Sequence, residues 1–473
     1  MKRALFATCS TILLAAAAAC ASSDDGDGGP DLTVREDSGA TLAEDASPDG
    51  GSAPDTGDAA VDGPACSSAG WCATTLPVAD LTLRDVWPTS GRTFAVGVSP
   101  TVGARVLEWN DADAKWSYID DNTQNEDGRG AYVGRIWAPS ENELYYTVAP
   151  RMVYRGVRDP ASQTPATAWS WTHWQLEDRV PAYPSNPQYP NHYLGLPRYA
   201  LPGTHSDWGG AEIPALGVFG TSANDVYAWY ANTIYHLSND DAGVPAWTVE
   251  YVADDRDRPD EQLVFLAATA TSSGDVWFAG GRGGAAVAGF GGGIDPRLCS
   301  VLVRKTASSY QRVADGEGVG FGFPMPPLRC KARAGTAYIA GPDGWITDIQ
   351  TGVGGSIVGL KAARDLTRIT VTDDGVDGGP PTLSVDSSPF PQGVAKAPLL
   401  SFWVVPNEPT IWLGGVNLVA RADDPWQDGG TYQVSTISLN GAWLTTSVNQ
   451  VRGSSNNVRW AVGARYALRK TNP

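Results

Sequence analysis

The sequence predicts an all-β protein, a single β-propeller of about seven four-stranded blades, and three observations carry this. First, a motif recurs in which an aromatic or polar residue is followed by a small-polar turn and a β-rich apolar run. It reads Trp87 to Phe94, Trp137 to Leu144, Phe219 to Val226 and Thr269 to Val276, a step of seven each time. Copies of strand-turn-strand content spaced by about 40 to 50 residues are the mark of blades around an axis. Second, Gly (54) and Pro (34) are abundant and no long stretch has a 3.6-residue apolar period, so almost no helix is expected. Third, the final copy is short of one strand, and a solitary strand at the start of the domain can supply it.

Before the domain, Lys2 and Arg3 precede an apolar run over 4–19, and small residues lead into Cys20. Residues 1–19 read as a secretory signal peptide, outside the fold. Small residues running into a cysteine resemble the lipobox of bacterial lipoproteins, which implies cleavage before Cys20 and lipidation of its thiol. Simple secretion, with cleavage after a nearby Ala, is the alternative. Residues 20–65 follow as a disordered acidic tether. Within 21–65 stand twelve Asp and Glu against Arg35 alone and no aromatic residue. Such a segment buries too little apolar surface to offset its ordering entropy. It holds a net charge of −11 of the total −18, and the signal holds +2, so the domain carries −9. The low pI therefore describes mainly an extended, self-repelling spacer. With no basic cluster, nucleic acid is not expected as a partner.

The propeller domain spans 66–473. Its first copy runs through strands around Val86-Trp87, Phe94-Ala95, Leu107 and Trp116, and the third repeats the order at Val218-Phe219, Tyr227-Ala228, Ile234-Tyr235 and Trp247. Asn, Asp, Gly and Pro fill the connections, as tight hairpins require. The second copy starts at 135–137 and ends near Trp171 and Trp174, and the fourth runs from Leu266 through 275–278 to Tyr310. A weaker fifth rests on 337–341 and 345–349 across the turn 342–344. A sixth contains 402–405 and 410–413 and reaches Trp443. The seventh, 451–455 and 460–463, has room for three strands. Trp71 would then open the missing fourth, in the place held by Trp116, Trp247 and Trp443, closing the ring and removing exposed sheet edges. Eight blades result if 366–372 and 381–386 form a blade of their own.

Cys9 lies in the signal, and Cys20 at the lipid site. Cys66, Cys72, Cys299 and Cys330 belong to the domain, an even number that suggests two disulfides in an exported chain. Cys66 and Cys72 are near enough to close a small loop, which leaves Cys299 with Cys330. A metal site is the alternative, but there is no C-x-x-C and the four histidines are not paired with these thiols.

The runs 218–227 and 455–463 make the chain look like the propeller-repeat lipoproteins of myxobacteria and related bacteria. That resemblance covers most of 66–473. It implies fold and location, the cell envelope with an outer-membrane anchor, and little about activity.

Chemistry is sparsely marked. Gly281-Arg282-Gly283-Gly284-Ala285-Ala286 matches a dinucleotide pattern by letter, without the strand-loop-helix unit that would hold a pyrophosphate. Neither G-x-S-x-G nor H-E-x-x-H occurs. The sequence assigns no catalytic residue, no metal and no cofactor. The period-linked aromatics read as packing between blades. The connection 175–213, with Tyr183, Tyr189, Tyr193, Tyr199 and Trp208 among prolines, reads as a binding loop or as a lid, since connections of this length are usually functional or disordered. Two functions follow as expectations. One is a monomeric, membrane-anchored module that binds a protein or glycan. The other is a carbohydrate-active hydrolase or lyase with two carboxylates at the central face.

Overall fold

The computed structural model describes residues 34–36, 66–162, 168–179, 200–201, 213–253, 261–284, 299–307, 309–319, 329–341, 343–373, 382–391, 398–427, 430–435, 437–439 and 442–471. Residues 1–31, including the signal and Cys20, lie outside this set, as do Tyr183, Tyr189, Tyr193, Tyr199 and Trp208.

Seven antiparallel sheets form a closed ring. From the axis outward, the first blade consists of Thr82–Pro88, Arg92–Ser99, Gly103–Asn110 and Lys115–Tyr118, and the second of Val133–Ser140, Glu143–Val148, Met152–Arg158 and Trp169–Gln175. The third is Leu216–Ser222, Asp225–Tyr230, Thr233–Asn239 and Pro245–Val252. The fourth is Glu261–Ser272, Asp275–Gly284, Cys299–Lys305 and Tyr310–Val319, with Arg329–Ala332 added outside. Ile346–Thr351, Ile357–Lys361, Asp365–Asp373 and Thr382–Pro389 make the fifth. Leu399–Val404, Thr410–Gly415, Leu418–Asp423 and Thr431–Ser435 make the sixth. Among the described residues the only helical elements are 3-10 turns, at Thr123–Asn125 and Val353–Gly355.

The seventh blade joins the two ends of the domain. Val448–Ser455, Val458–Gly463 and Tyr466–Lys470 come from the C-terminus, and Cys72–Thr74 pairs antiparallel with Tyr466–Lys470 as its outer strand. The expected closure is present, and Trp71 beside that strand is fully buried. Both expected disulfides are formed. Cys66–Cys72 closes a loop on the closing strand, and Cys299–Cys330 ties the extra strand of the fourth blade to its third.

Each interface between blades holds an apolar cluster of its own. Phe94, Ile136 and Tyr146 lie between blades one and two, Leu216 and Val153 between two and three, and Phe265, Phe278 and Tyr227 between three and four. Ala279, Ile349 and Ile369 pack between four and five, Leu360, Phe402 and Tyr432 between five and six, Trp71, Trp412 and Val451 between six and seven, and Trp109, Trp116 and Trp460 between seven and one. Burying such side chains contributes about 1.5–3 kcal/mol apiece, so interface packing is the main support of the ring. Polar groups near the axis add fasteners. The Ile136 N–H donates to Asp85 Oδ2 (3.0 Å), Val404 N–H to Gln350 Oε1 (2.9 Å), Val451 N–H to Ser401 Oγ (3.0 Å), and Asn449 Nδ2 to the Leu83 carbonyl (2.8 Å).

Two expectations need correction. The stretch 337–341 is not the inner strand of the fifth blade. Buried Lys361 donates to the carbonyls of Ile339 and Ala340 and holds this segment outside the sheet, and Ile346–Thr351 takes the inner place. Residues 366–372 and 382–386 are the outer strands of that blade, so the expected count of seven holds and the eight-blade alternative falls away. Trp443 is not the outer strand of the sixth blade. It is 68% exposed on a two-strand excursion, while Thr431–Ser435 fills that edge. Within the expected tether 20–65 only 34–36 are among the described residues, and Val34–Glu36 pairs in parallel with Thr431–Ser435. An otherwise open sheet edge accounts for this addition.

Candidate functional site

The inner strand of a blade presents alternate side chains to the axis, because side-chain direction has a period of two. Six of the seven inner strands carry a register irregularity before the axial position: Leu83/Asp85, Val133/Ile136, Phe265/Ala267, Ile346/Asp348, Leu399/Ser401 and Val448/Gln450. A bulge turns the following side chain, and bulges of this kind re-aim residues near sites. The axial layer so formed reads Asp85, Arg135, Gly217, Ala267, Asp348, Ser401 and Gln450 around the ring.

Two residues further along each strand lies a second layer: Trp87, Trp137, Phe219, Thr269, Gln350, Trp403 and Arg452. Their equivalence is set by cross-strand pairing, with Phe94, Tyr145, Tyr227, Trp277, Val358, Trp412 and Trp460 respectively. Trp87, Trp137, Phe219 and Thr269 are the first positions of the seven-residue motif. Trp87 and Trp137 meet edge-on at 6.5 Å, Trp137 and Phe219 lie 6.4 Å apart, and the Arg452 guanidinium sits 4.4 Å over the Trp87 ring. Thr269 and Thr351 hydroxyls meet at 3.1 Å on the far side.

Together the layers enclose a cavity of about 740 Å³, lined by Trp87, Phe219, Thr269, Gln350, Trp403 and Arg452 of the second layer and by Asp85, Arg135 and Asp348 of the axial layer. It opens at the end where the first and second strands of each blade turn, through Pro88, Ser90, Pro406 and Ser454. Its size falls within the usual range for small-molecule sites. Gly217 is required in the axial layer, because a Cβ there would run into the Trp229 ring, which fills the space and lines the cavity. Gly453 likewise accommodates Trp403, whose Cη2 would lie 2.6 Å from an added Cβ.

Four charges meet at the base. Asp85 Oδ1 accepts the Val86 N–H at 2.8 Å and Oδ2 accepts Ile136 N–H at 3.0 Å, so both oxygens are engaged by backbone. Arg452 Nη1 stands 3.9 Å from Asp85 Oδ1, and Arg135 Nη2 stands 3.7 Å from Asp348 Oδ1. Both gaps exceed the 2.7–2.9 Å of a charge-assisted hydrogen bond. Arg135 also donates to Gln450 Oε1 at 3.3 Å. Asp348 Oδ1 accepts Ile349 N–H at 3.0 Å, while Asp348 Oδ2 and Gln450 Nε2 have no hydrogen-bond partner among the described residues. The side chains are 1% (Asp85), 5% (Asp348), 11% (Arg135) and 14% (Arg452) exposed. Burial raises the Asp348 pKa against the pull of Arg135 and Arg452. Burial also opposes the charge on Arg135, but Asp348 and Asp85 outweigh it and its pKa is raised. For Arg452 burial prevails and the pKa is lowered.

This site escaped the sequence reading, which treated all repeated aromatics as packing. That role belongs to the second-strand residues Trp229, Trp277, Trp412 and Trp460, all fully buried. Trp87, Phe219 and Trp403 face the cavity. A usable signal was present: Asp85 and Arg135 are charges inside inner strands, each two residues before the first motif position. The aromatic connection 175–213 leaves from the outer strand of blade two and rejoins at Leu216, where an inner strand begins, so its anchor points stand at the opposite end from the cavity. Arg282 of the dinucleotide-like motif lies in a strand and makes a bidentate buried pair with Asp315 (2.8 and 2.7 Å), a structural use. Among the described residues no group of His, Cys, Asp and Glu could hold a metal ion.

No protein-family model matches the chain, and no curated protein matches it. Among solved structures, the chain is similar to YCF48 bound to D1 peptide, with 12% identity over 87% of this chain and 98% of that one and a TM-score of 0.46. It is also similar to Chaetomium thermophilum Raptor (10% identity, 85% of this chain, 29% of that one, TM-score 0.49) and to the Dos1 propeller (8%, 83%, 79%, TM-score 0.43). Similarity of this degree concerns the fold and nothing finer.

Proposed function

We propose that this chain is an exported binding module, anchored through a lipidated Cys20 and held off the membrane by the acidic stretch 20–65, that captures its ligand in the mouth of the propeller channel. The observation that carries the reading is the 740 Å³ cavity, where aromatic faces surround hydrogen-bonding groups not satisfied by the protein. Apolar walls with a few convergent polar groups are the usual make-up of a ligand site. The two disulfides accord with an oxidising, non-cytoplasmic location.

The hydrolase reading draws support from Asp348, whose free oxygen and raised pKa suit a general acid. Its partner carboxylate would have to be Asp85. Both Asp85 oxygens accept backbone N–H groups, one of them from the neighbouring blade, so using Asp85 as base or nucleophile would loosen the ring. Binding is therefore the preferred reading.

Capture of envelope material by the full-length chain tests it. Replacing Trp87 and Trp403 together with Ala should abolish capture with the fold retained, whereas deleting 183–199 should leave it intact. Loss on the deletion alone would move the site to the aromatic connection. Mass spectrometry of the mature N-terminus, with Cys20→Ala as control, tests the anchor: an acylated Cys20 is expected, and an unmodified one refutes it.

A further inference from the structure

Resting on the channel-mouth reading, we infer that the ligand is a neutral saccharide, held with its hydroxyls at the charged base and its ring faces against the aromatic layer. The first ground is charge. Two arginines and two aspartates at the base sum to zero, and all four side chains are largely withdrawn from water. A ligand bringing a net charge would leave it uncompensated in a desolvated site, which is costly. A neutral ligand incurs no such cost.

The second ground is hydrogen bonding. The base presents donors and an acceptor in need of partners at the same time. The Arg452 guanidinium, which lines the cavity, donates no hydrogen bond among the described residues; it stands 3.9 Å from Asp85 and stacks on Trp87. Asp348 Oδ2 is an acceptor in the same state. A carboxylate ligand could satisfy only the donors, and an ammonium only the acceptor. A hydroxyl carries one donor and two acceptor lone pairs, so neighbouring hydroxyls on a sugar ring can donate to Asp348 and accept from Arg452 together.

The third ground is the wall. Trp87 and Phe219 are half-buried and line the cavity, and Trp403 lines it from the sixth blade, with Arg452 between Trp403 and Trp87 around the ring. Flat apolar faces bury the C–H face of a sugar ring, while small-polar Thr269 and Ser454 leave the remaining hydroxyls hydrogen-bonded. The cavity has room for a short oligosaccharide rather than a single small ion.

The test is calorimetric titration of the full-length chain with maltohexaose, cellohexaose and chitohexaose, with oligogalacturonate as an acidic saccharide, and with acidic and basic hexapeptides. Binding of at least one neutral hexasaccharide is expected, weakened about tenfold or more by Asp348→Asn, which removes one charged acceptor. Because Asp348→Asn leaves the base at +1, it should also raise affinity for oligogalacturonate, and Arg452→Gln, which leaves it at −1, should not. A residue of merely structural role would not switch the preferred charge in this way. Thermal melting of each variant separates loss of fold from loss of site. Wild-type preference for oligogalacturonate or a hexapeptide, lost on Trp87→Ala/Trp403→Ala, would overturn the saccharide assignment and leave the channel-mouth reading standing. Binding of any probe undiminished by those two substitutions would overturn both.

Discussion

Replacing Trp71 with Ala probes ring closure at the point where the chain ends meet. Trp71 is fully buried beside the three-residue closing strand, packs edge-on with Trp412 at 5.8 Å, and shares a cluster with Trp403, Val451 and Leu468. Truncating a buried Trp costs about 3–5 kcal/mol through lost transfer energy and the cavity left behind. The lost aromatic pair accounts for about 0.5–1.5 kcal/mol of this. Its Nε1 has no hydrogen-bond partner among the described residues, so removing that buried donor returns part of the loss. A net destabilisation of about 3–4 kcal/mol follows, a large share of the 5–15 kcal/mol typical of a folded domain. Equilibrium urea unfolding of the full-length chain, followed by tryptophan fluorescence and far-ultraviolet circular dichroism, reads it as a lower midpoint with both signals moving together. Trp443→Ala is the control, because its exposed ring should change stability by no more than about 0.5 kcal/mol. A Trp71→Ala loss below about 1 kcal/mol, or one matched by Trp443→Ala, would refute closure through this strand.

Loop-closure entropy ranks the disulfides by sequence separation, 31 against 6, so replacing Cys299 and Cys330 with Ser should cost about 4 kcal/mol and replacing Cys66 and Cys72 about 2 kcal/mol, read from urea midpoints under non-reducing conditions. The reverse order would contradict that account. His236 lies between Glu250 (3.0 Å) and Asp225 (3.1 Å), and the Glu250 hydrogen bond leads in raising its pKa. Its protonated form therefore stabilises the fold fully below the unfolded value of about 6.5, and this is lost as pH rises through the raised folded value. The stability gap between wild type and His236→Gln should be wider at acidic than at alkaline pH, and a gap that grows with pH would reject the assignment. Gly217→Ala forces a Cβ into the Trp229 ring and should cost about 1–3 kcal/mol while shifting tryptophan emission; an unshifted spectrum would count against the packing described.

Much of the ring was legible because local signals agreed with the global fold. In blades one and three, hairpin turns rich in Asn, Asp and Gly separate apolar runs, and each expected strand pair is present. The closing strand was legible because an incomplete copy demanded a partner. Blade five misled because 337–341 and 345–349 both read as short strands, while the contact that holds 337–341 outside the sheet comes from a distant buried lysine, Lys361. In blade six the outer strand Thr431–Ser435 contains no Trp, so the Trp at 443 drew the assignment away from it. The channel was least legible. Asp85, Arg135, Asp348 and Arg452 come from four blades, and what unites them is curvature of the ring, which no local pattern records.

Hydrogen exchange of the full-length chain, with and without a saturating neutral oligosaccharide, tests the central claim most directly. Slowed exchange is expected at 85–90, 348–351, 403–406 and 452–455, four segments far apart in sequence that meet at the channel mouth. Protection confined to 175–213, or spread over the outer strands, would contradict it.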